Sequence, residues 1–406
     1  MKRVFAGPGS RTAVALLLWG ALSGCLSPVA MHRAVLEYDH TVSQVESEML
    51  LLNIARARQG LPVHFTAVSN VAATFDFRTN AGVGAQLFNR GGTDITRNFY
   101  TLNLGASVAE NPTVSIIPIQ GEEFTRRILT PMDETKFEFL ISQGVEPAIV
   151  LRLMARGIGI EQDGKRTFLL NLPHRPEEYA EFRRRVLHLS ALNLARQLHV
   201  GPLEHEEHWP LPPDHPLTAQ ALDKGYRWIT NEADGRPILS KTVVGRMAIS
   251  NYDPAKLPNH ERRRLHETAS RYPRNYVFVD IRPGFPGGDY PWRGQIKLRS
   301  FSAILGFVAR GIAEEPEFAV DQDQRTGPVL RNPVSTLKIV ETTTRPRHAA
   351  FAVELRARWY SVGAHDDGEE PLRTWNREAF SLLQQLFQMT VTDVGRIPTL
   401  PITIAK

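Results

Sequence analysis

Apolar residues recur at alternating spacings of three and four through Val35, Tyr38, Val42, Val45, Met49 and Leu52. That stripe predicts one helix over Ala34–Gln59, stopped by Gly60 and Pro62. It covers about two and a half heptads, too few for a coiled coil. Leu50, Leu51 and Ile54 widen the face toward one packed on its own domain. The period then shortens. Val63–Phe77 is rich in Val, Phe and Thr, Phe99–Leu104 alternates, and Val114–Ile119 is a further short run. With the Gly/Asn-rich stretch between residues 80 and 92, these predict an antiparallel meander with a hairpin tip.

From Glu122 the helical period returns. Glu122 and Glu123 precede Arg126 and Arg127, the order a helix dipole favours, and Pro131 ends the segment. Further helices are predicted over Asp133–Ser142, Pro147–Arg156 and Pro176–His199. Residues 201–272 look irregular and Pro/His-rich, with a hairpin of Pro237–Ser240 and Val243–Ile249 and a basic helix over Asn259–Arg271.

Toward the C-terminus, strands are predicted at Tyr276–Ile281 and Gln295–Leu298, then a helix at Ser300–Ile312. A hairpin of Val334–Thr344 and Phe351–Val362 follows, then a helix at Arg377–Met389 and a strand at Leu400–Ile404. From residue 295 the order is βαββαβ, the ferredoxin-like split arrangement. The expected class is α+β, laid out as a leader (1–24), a tether and helix (25–62), an α+β domain (63–200), a connecting region (201–272) and a C-terminal α+β domain (273–406). In Phe351–Val362, Glu354, Arg356, Arg358 and Tyr360 alternate with apolar residues. Arg356, Arg358 and Tyr360 are therefore read as a face for a protein partner.

Composition is that of a globular protein, 42% hydrophobic and 22% charged. Three of the five net positive charges come from Lys2, Arg3 and Arg11, leaving +2 for the rest, so no nucleic-acid partner is expected.

Those three basic residues precede a short apolar run, Ala13–Ala21, and then Leu22-Ser23-Gly24-Cys25, which holds the single cysteine of 406 residues. The run is too short to span a bilayer as a helix and has the build of a secretory leader. The tetrapeptide resembles the lipobox of bacterial lipoproteins. That resemblance implies cleavage between Gly24 and Cys25 and diacylglycerol on the Cys25 sulfur. Leu26 and Ser27 carry no acidic retention signal, which implies sorting to the outer membrane, facing the periplasm. Acyl chains contribute about 0.8 kcal/mol per buried methylene, and two or more hold a protein stably. With the only thiol lipidated, no disulfide, Cys-based metal site or Cys nucleophile is left. Two short stretches, Asn53-Ile54-Ala55-Arg56-Ala57-Arg58 and Pro112 to Glu122, are also similar to segments of uncharacterised exported lipoproteins.

Candidate chemistry is thin. Glu204-His205-Glu206-Glu207-His208, with Asp214 and His215, has zinc-ligand residue types but reads as an exposed linker between Pro202 and Pro210. Asp321–Gly327 has its glycine seventh, where a calcium loop needs it sixth. The acidic run His365–Glu370 and the basic runs Arg183–Arg185 and Arg262–Arg264 read as solvated faces. Ser335-Thr336-Leu337-Lys338 matches Ser-x-x-Lys without its companion motifs, and on a strand its two ends would lie on opposite faces. No catalytic residue, metal ligand or cofactor is therefore expected. The leading expectation is a non-enzymatic interaction or assembly component of a cell-envelope complex. An envelope hydrolase acting on glycan or peptide, or a ligand-binding module, is the alternative.

Overall fold

The computed structural model describes residues 26–86, 99–162, 164–210, 223–230, 235, 237–347, 349–363 and 374–391. Its fold is mixed α+β, in two compact units. The leader, Cys25, Asp214, His215, the acidic run 365–370 and the strand expected at 400–404 lie outside the described residues.

Helix α1 (Leu26–Arg58) carries the predicted stripe and begins earlier than expected. Its residues 26–46 belong to the first unit, where Val35 and Leu36 are exposed. Its last three turns belong to the second, where Leu51, Ile54 and Ala55 are fully buried. There Asn53 explains its short motif. Its side chain donates to the His64 carbonyl (2.9 Å) and accepts from the His64 amide (2.7 Å), and Arg58 pairs with Glu314 (2.8 Å).

The rest of the first unit is a ribbon of two strands, β1 (Phe65–Gln86) and β2 (Phe99–Ile119). They pair antiparallel in register from Phe65–Ile119 to Gln86–Phe99, with one bulge at Ser69. The expected meander of shorter strands is therefore one long hairpin. Asn80, Gly82 and Gly84, read as part of its tip, sit within β1.

The second unit is built on a seven-stranded sheet. Short helices α2 (Glu122–Leu129), α3 (Glu134–Ser142) and α4 (Pro147–Met154) lead into β3 (Ala155–Gln162) and β4 (Lys165–Leu170). Helix α5 (Pro176–Leu194) precedes β5 (His199–Pro210), β6 (Tyr226–Thr230) and β7 (Pro237–Ser250). Helix α6 (Asn259–Ala269) links β7 to its parallel neighbour β8 (Tyr276–Ile281), and β9 (Trp292–Leu298) follows. The order is β4-β3-β9-β8-β7-β5, with β6 on β7 beyond the end of β8. This sheet takes strands from both sides of the expected boundaries at 201 and 273. On β8 the run Val277–Ile281 is buried on both faces. One face packs Phe278 with Ala248 and Leu203 under Leu265 and Ala269 of α6, which explains a near-continuous apolar strand.

Residues 201–210 are strand, not linker. Pro202 sits at the register shift between β5 and β7 and Pro210 at the strand's end, and β5 is an edge strand. These are the places where a missing N–H is tolerated. The expected hairpin at 237–249 is the single strand β7, held by β5 on one edge and by β6 and then β8 on the other.

After α7 (Phe301–Gly311), capped by the Ser300 hydroxyl, the chain runs without regular structure to a three-stranded sheet. Its order is β10 (Ile339–Thr342), β12 (Arg358–Val362), β11 (Ala352–Leu355). Helix α8 (Trp375–Val391) clamps it, with Asn376 accepting from the Lys338 amide (3.0 Å) and donating to the Gly363 carbonyl (2.5 Å). Because β9 belongs to the larger sheet, the described elements from 295 onward do not share one ferredoxin-like sheet. The single strand expected at 351–362 is itself a hairpin. Arg356 (φ 51°) and Ala357 (φ 60°) both have left-handed backbone angles. A two-residue type I′ turn requires that combination.

Candidate functional site

Several buried ionisable groups meet where α4, α5 and the segment after α7 converge. Arg152 comes from α4, Tyr179 and Arg183 from α5, and Glu317 and Thr336 from that segment. Glu317 accepts from the Thr336 amide, from the Thr336 hydroxyl (2.7 Å), from the Tyr179 hydroxyl (2.7 Å) and from Arg152 (3.4 Å). Arg183 lies 3.7 Å away. The guanidiniums also bind main chain. Arg152 donates to the Pro333 and Val334 carbonyls (2.9 and 2.7 Å), and Arg183 donates to the same two (both 3.1 Å). Nearby Arg299 donates to the Arg152, Leu153 and Asn171 carbonyls.

Burial alone would raise the Glu317 carboxyl, but Arg152, Arg183 and the two Thr336 hydrogen bonds together outweigh it and hold it below the usual carboxylate range. Burial lowers Arg152 to about 10, with Arg183 adding to the effect, and lowers Arg299 to about 9. Burial, then the Glu317 charge, pushes the Tyr179 hydroxyl up. At neutral pH this is one carboxylate among three guanidiniums.

A cavity of about 200 Å³ borders the centre, lined in part by Glu317, Ser335, Thr336 and Lys338. It is smaller than the ~300–1,000 Å³ of ordinary ligand pockets. A general base needs an ionisable group near neutral pH with a free lone pair toward the substrate. Glu317 has neither, since its oxygens face four protein donors and its proton affinity is depressed. Ser335 and Lys338 do share the cavity, because the strand expected from Val334 begins only at Ile339. Lys338 is solvent-exposed, however, and among the described residues no hydrogen bond joins it to Ser335. The arrangement pins an irregular segment to two helices.

The zinc-like residues separate. On β5, His205 and Glu207 share one face, and Glu206 and His208 the other. His205 is buried against His266 of α6, ring centroids 4.7 Å apart, whereas His208 meets Glu206 (3.3 Å). Among the described residues no group of three or more His, Cys, Asp or Glu is placed to hold a metal ion. In the calcium-like stretch, Asp323 is bound by Arg325 (2.7 Å), which holds its carboxyl well below the usual range.

Two surface expectations change. Arg183 (1% exposed) and Arg185 (8%) are buried, because Arg185 reaches Glu181 (3.0 Å) and stacks 3.6 Å from the Tyr290 ring. Arg263 and Arg264 are exposed as expected. The expected partner face divides. Arg356 and Arg358 are exposed, but Tyr360 is 1% exposed and its hydroxyl accepts from Gln59 (3.0 Å). The turn at Arg356–Ala357 pairs Leu355 with Arg358 and Val353 with Tyr360, so an odd position shares a face with an even one.

Compared with protein-family models, with curated proteins and with solved structures, the chain matches none of them.

Proposed function

We propose that this protein is an outer-membrane lipoprotein, held through Cys25, that acts as a non-enzymatic interaction or assembly component of a cell-envelope complex. One observation carries the non-enzymatic part. Glu317, a buried carboxylate beside the cavity, is surrounded by donors that belong to the fold, so the chemistry gathered there organises main chain. The leader and Leu22-Ser23-Gly24-Cys25 support the location, since basic, apolar and small residues stand in the required order before the sole thiol. The exposed Arg356–Arg358 turn is the part of the expected docking face that stays available to other envelope proteins. The reading includes no cofactor and no nucleic-acid partner.

The test pairs labelled fatty acid with membrane fractionation and capture through a C-terminal tag. The wild-type chain takes up label, sediments with outer-membrane markers and captures a defined set of envelope proteins. Cys25→Ala takes up none. Label retained by that variant, or recovery of wild type with inner-membrane markers, rejects the reading.

A further inference from the structure

Strands β1 and β2 pair with each other along the whole of β2 (21 residues) and, among the described residues, with no other strand. An isolated two-stranded ribbon is at best marginally stable in water, and its outer edges are templates for further pairing. Among the described residues no helix is long and apolar enough to cross a membrane.

The register separates the ribbon's positions into two unlike faces. Beyond the Ser69 bulge, Phe75, Phe77, Thr79, Ala81, Val83 and Ala85 occupy one face of β1. Opposite them on the same face stand Glu110, at the Phe75 end, and then Val108, Ala106, Leu104, Leu102 and Tyr100 of β2. The other face holds Asp76, Arg78, Asn80, Gly82, Gly84 and Gln86, opposed by Ala109, Ser107, Gly105, Asn103, Thr101 and, at the far end, Phe99. From Phe77–Val108 to Ala85–Tyr100 the first face carries no charge. The band spans about nine residues of each strand, which matches the ~9–11 residues of a membrane-spanning strand. At ~3.4 Å per residue and a tilt near ~45°, nine residues rise about 22 Å, close to the ~25 Å apolar band of outer-membrane barrels. Tyr100 stands at one end of the band and Phe75 and Phe77 at the other, where such barrels carry aromatic girdles.

We infer that the β1–β2 ribbon is one stave of a membrane-spanning β-barrel built from several copies of this chain. Hydrocarbon covers the apolar face and the polar face lines the lumen. The outer edge of β1 in one copy pairs with the outer edge of β2 in the next, which is antiparallel and head-to-tail, so the ring closes without a free edge. Two strands per copy give an even strand number, and the smallest known barrels, of about eight strands, set a minimum of about four copies. This rests on the envelope reading only in supplying the membrane. It turns a tethered component into a channel.

The test reconstitutes the full mature chain into vesicles of phosphatidylethanolamine and phosphatidylglycerol loaded with a fluorescent dye, beside mass measurement in detergent. The wild type forms a ring of several copies and releases the dye. Ala81→Arg, in the middle of the apolar face, loses release, whereas its neighbour Asn80→Arg, on the lumen face, keeps release and shifts ion selectivity toward anions. The buried Trp292 and Trp375, both in the second unit, report by fluorescence that each variant folds. A monomer in detergent, a wild type that releases no dye, or identical behaviour of the two arginine variants overturns the barrel. Loss of lipidation in cells, with dye release intact in vesicles, overturns the lipoprotein reading alone.

Discussion

Replacing Glu317 with glutamine removes one negative charge and keeps a carbonyl oxygen for the Thr336 amide. Arg152, Arg183 and Arg299 then lie buried without the carboxylate they share, at 2%, 1% and 4% exposure. Breaking a buried pair by removing one partner costs about 3–5 kcal/mol, because the surviving charge stays desolvated. Glutamine belongs at the lower end, about 3 kcal/mol, since the main-chain hydrogen bonds of the guanidiniums persist. Alanine also strips acceptors from Thr336 and Tyr179 and belongs near the upper end, about 5 kcal/mol. With a urea slope of about 3 kcal/mol per molar, the midpoint falls by roughly 1 M for glutamine and roughly 1.7 M for alanine.

Trp375 reads this transition directly. Its indole N–H donates to the Thr336 carbonyl (2.9 Å), and the Arg152 guanidinium sits 5.3 Å from its ring centroid. The pH dependence gives a second measure. Glu317 titrates below its ordinary value in the fold, so its contribution is present above about pH 4.5 and is lost as pH falls from there toward the lowered value. The glutamine variant therefore loses part of the acid sensitivity of the wild type. A midpoint shift under about 0.3 M, with the acid profile unchanged, refutes the claim that Glu317 holds the guanidiniums in place.

Two more outcomes follow from the helix α6 side of the sheet. Gly245→Ala places a methyl group against the His266 ring and 2.5 Å from the Leu203 carbonyl. Overpacking there should cost about 1–3 kcal/mol in thermal denaturation, and an unchanged melting temperature contradicts that packing. His266 accepts the Arg246 amide on Nδ1 (3.1 Å) and titrates below its ordinary value through burial, then His205 and Arg246, with Glu267 and Glu207 opposing. The unfolded chain takes up that proton first, so stability falls as pH drops below about 6.5. His266→Asn keeps an acceptor and should flatten this slope in melting curves between about pH 7.5 and 5.5, leaving the same-signed effect of buried His188.

The elements easiest to read were those whose burial follows one period. α7 shows its inward Phe301, Ile304, Leu305 and Val308, and β8 is apolar but for Asp280. The misread elements each break a local rule for a tertiary reason. The turn at Arg356–Ala357 adopts left-handed angles with neither Asn nor Gly, so nothing in composition marks it, and alternation carries the eye through it. Pro202 and Pro210 argue for a linker until β7 supplies a partner whose register has room for both. The buried arginines of α5 hide in a run that looks solvated, because their partners Glu317, Asn332 and Tyr290 lie more than 100 positions away. The ribbon was half legible. Its alternation stood in the sequence, but glycines and asparagines at lumen-face positions passed for a loop.

The arginines also explain how an irregular segment is held in a chain that has one cysteine and therefore no internal disulfide. Between α7 and β10 the backbone forms neither helix nor ladder, yet its buried carbonyls need donors as strictly as any strand's. A guanidinium brings five N–H groups in a rigid fork, enough to serve several carbonyls from one side chain. Arg152 and Arg183 converge on Pro333 and Val334, while Asn332 donates to the Val320 carbonyl (2.8 Å). Glu317 then offsets part of the charge those donors bring. Lysine at either position would keep the charge and lose the fork. The buried charges thus follow from the missing ladder, and a mixed charge cluster beside a small cavity here marks a solved problem of backbone satisfaction.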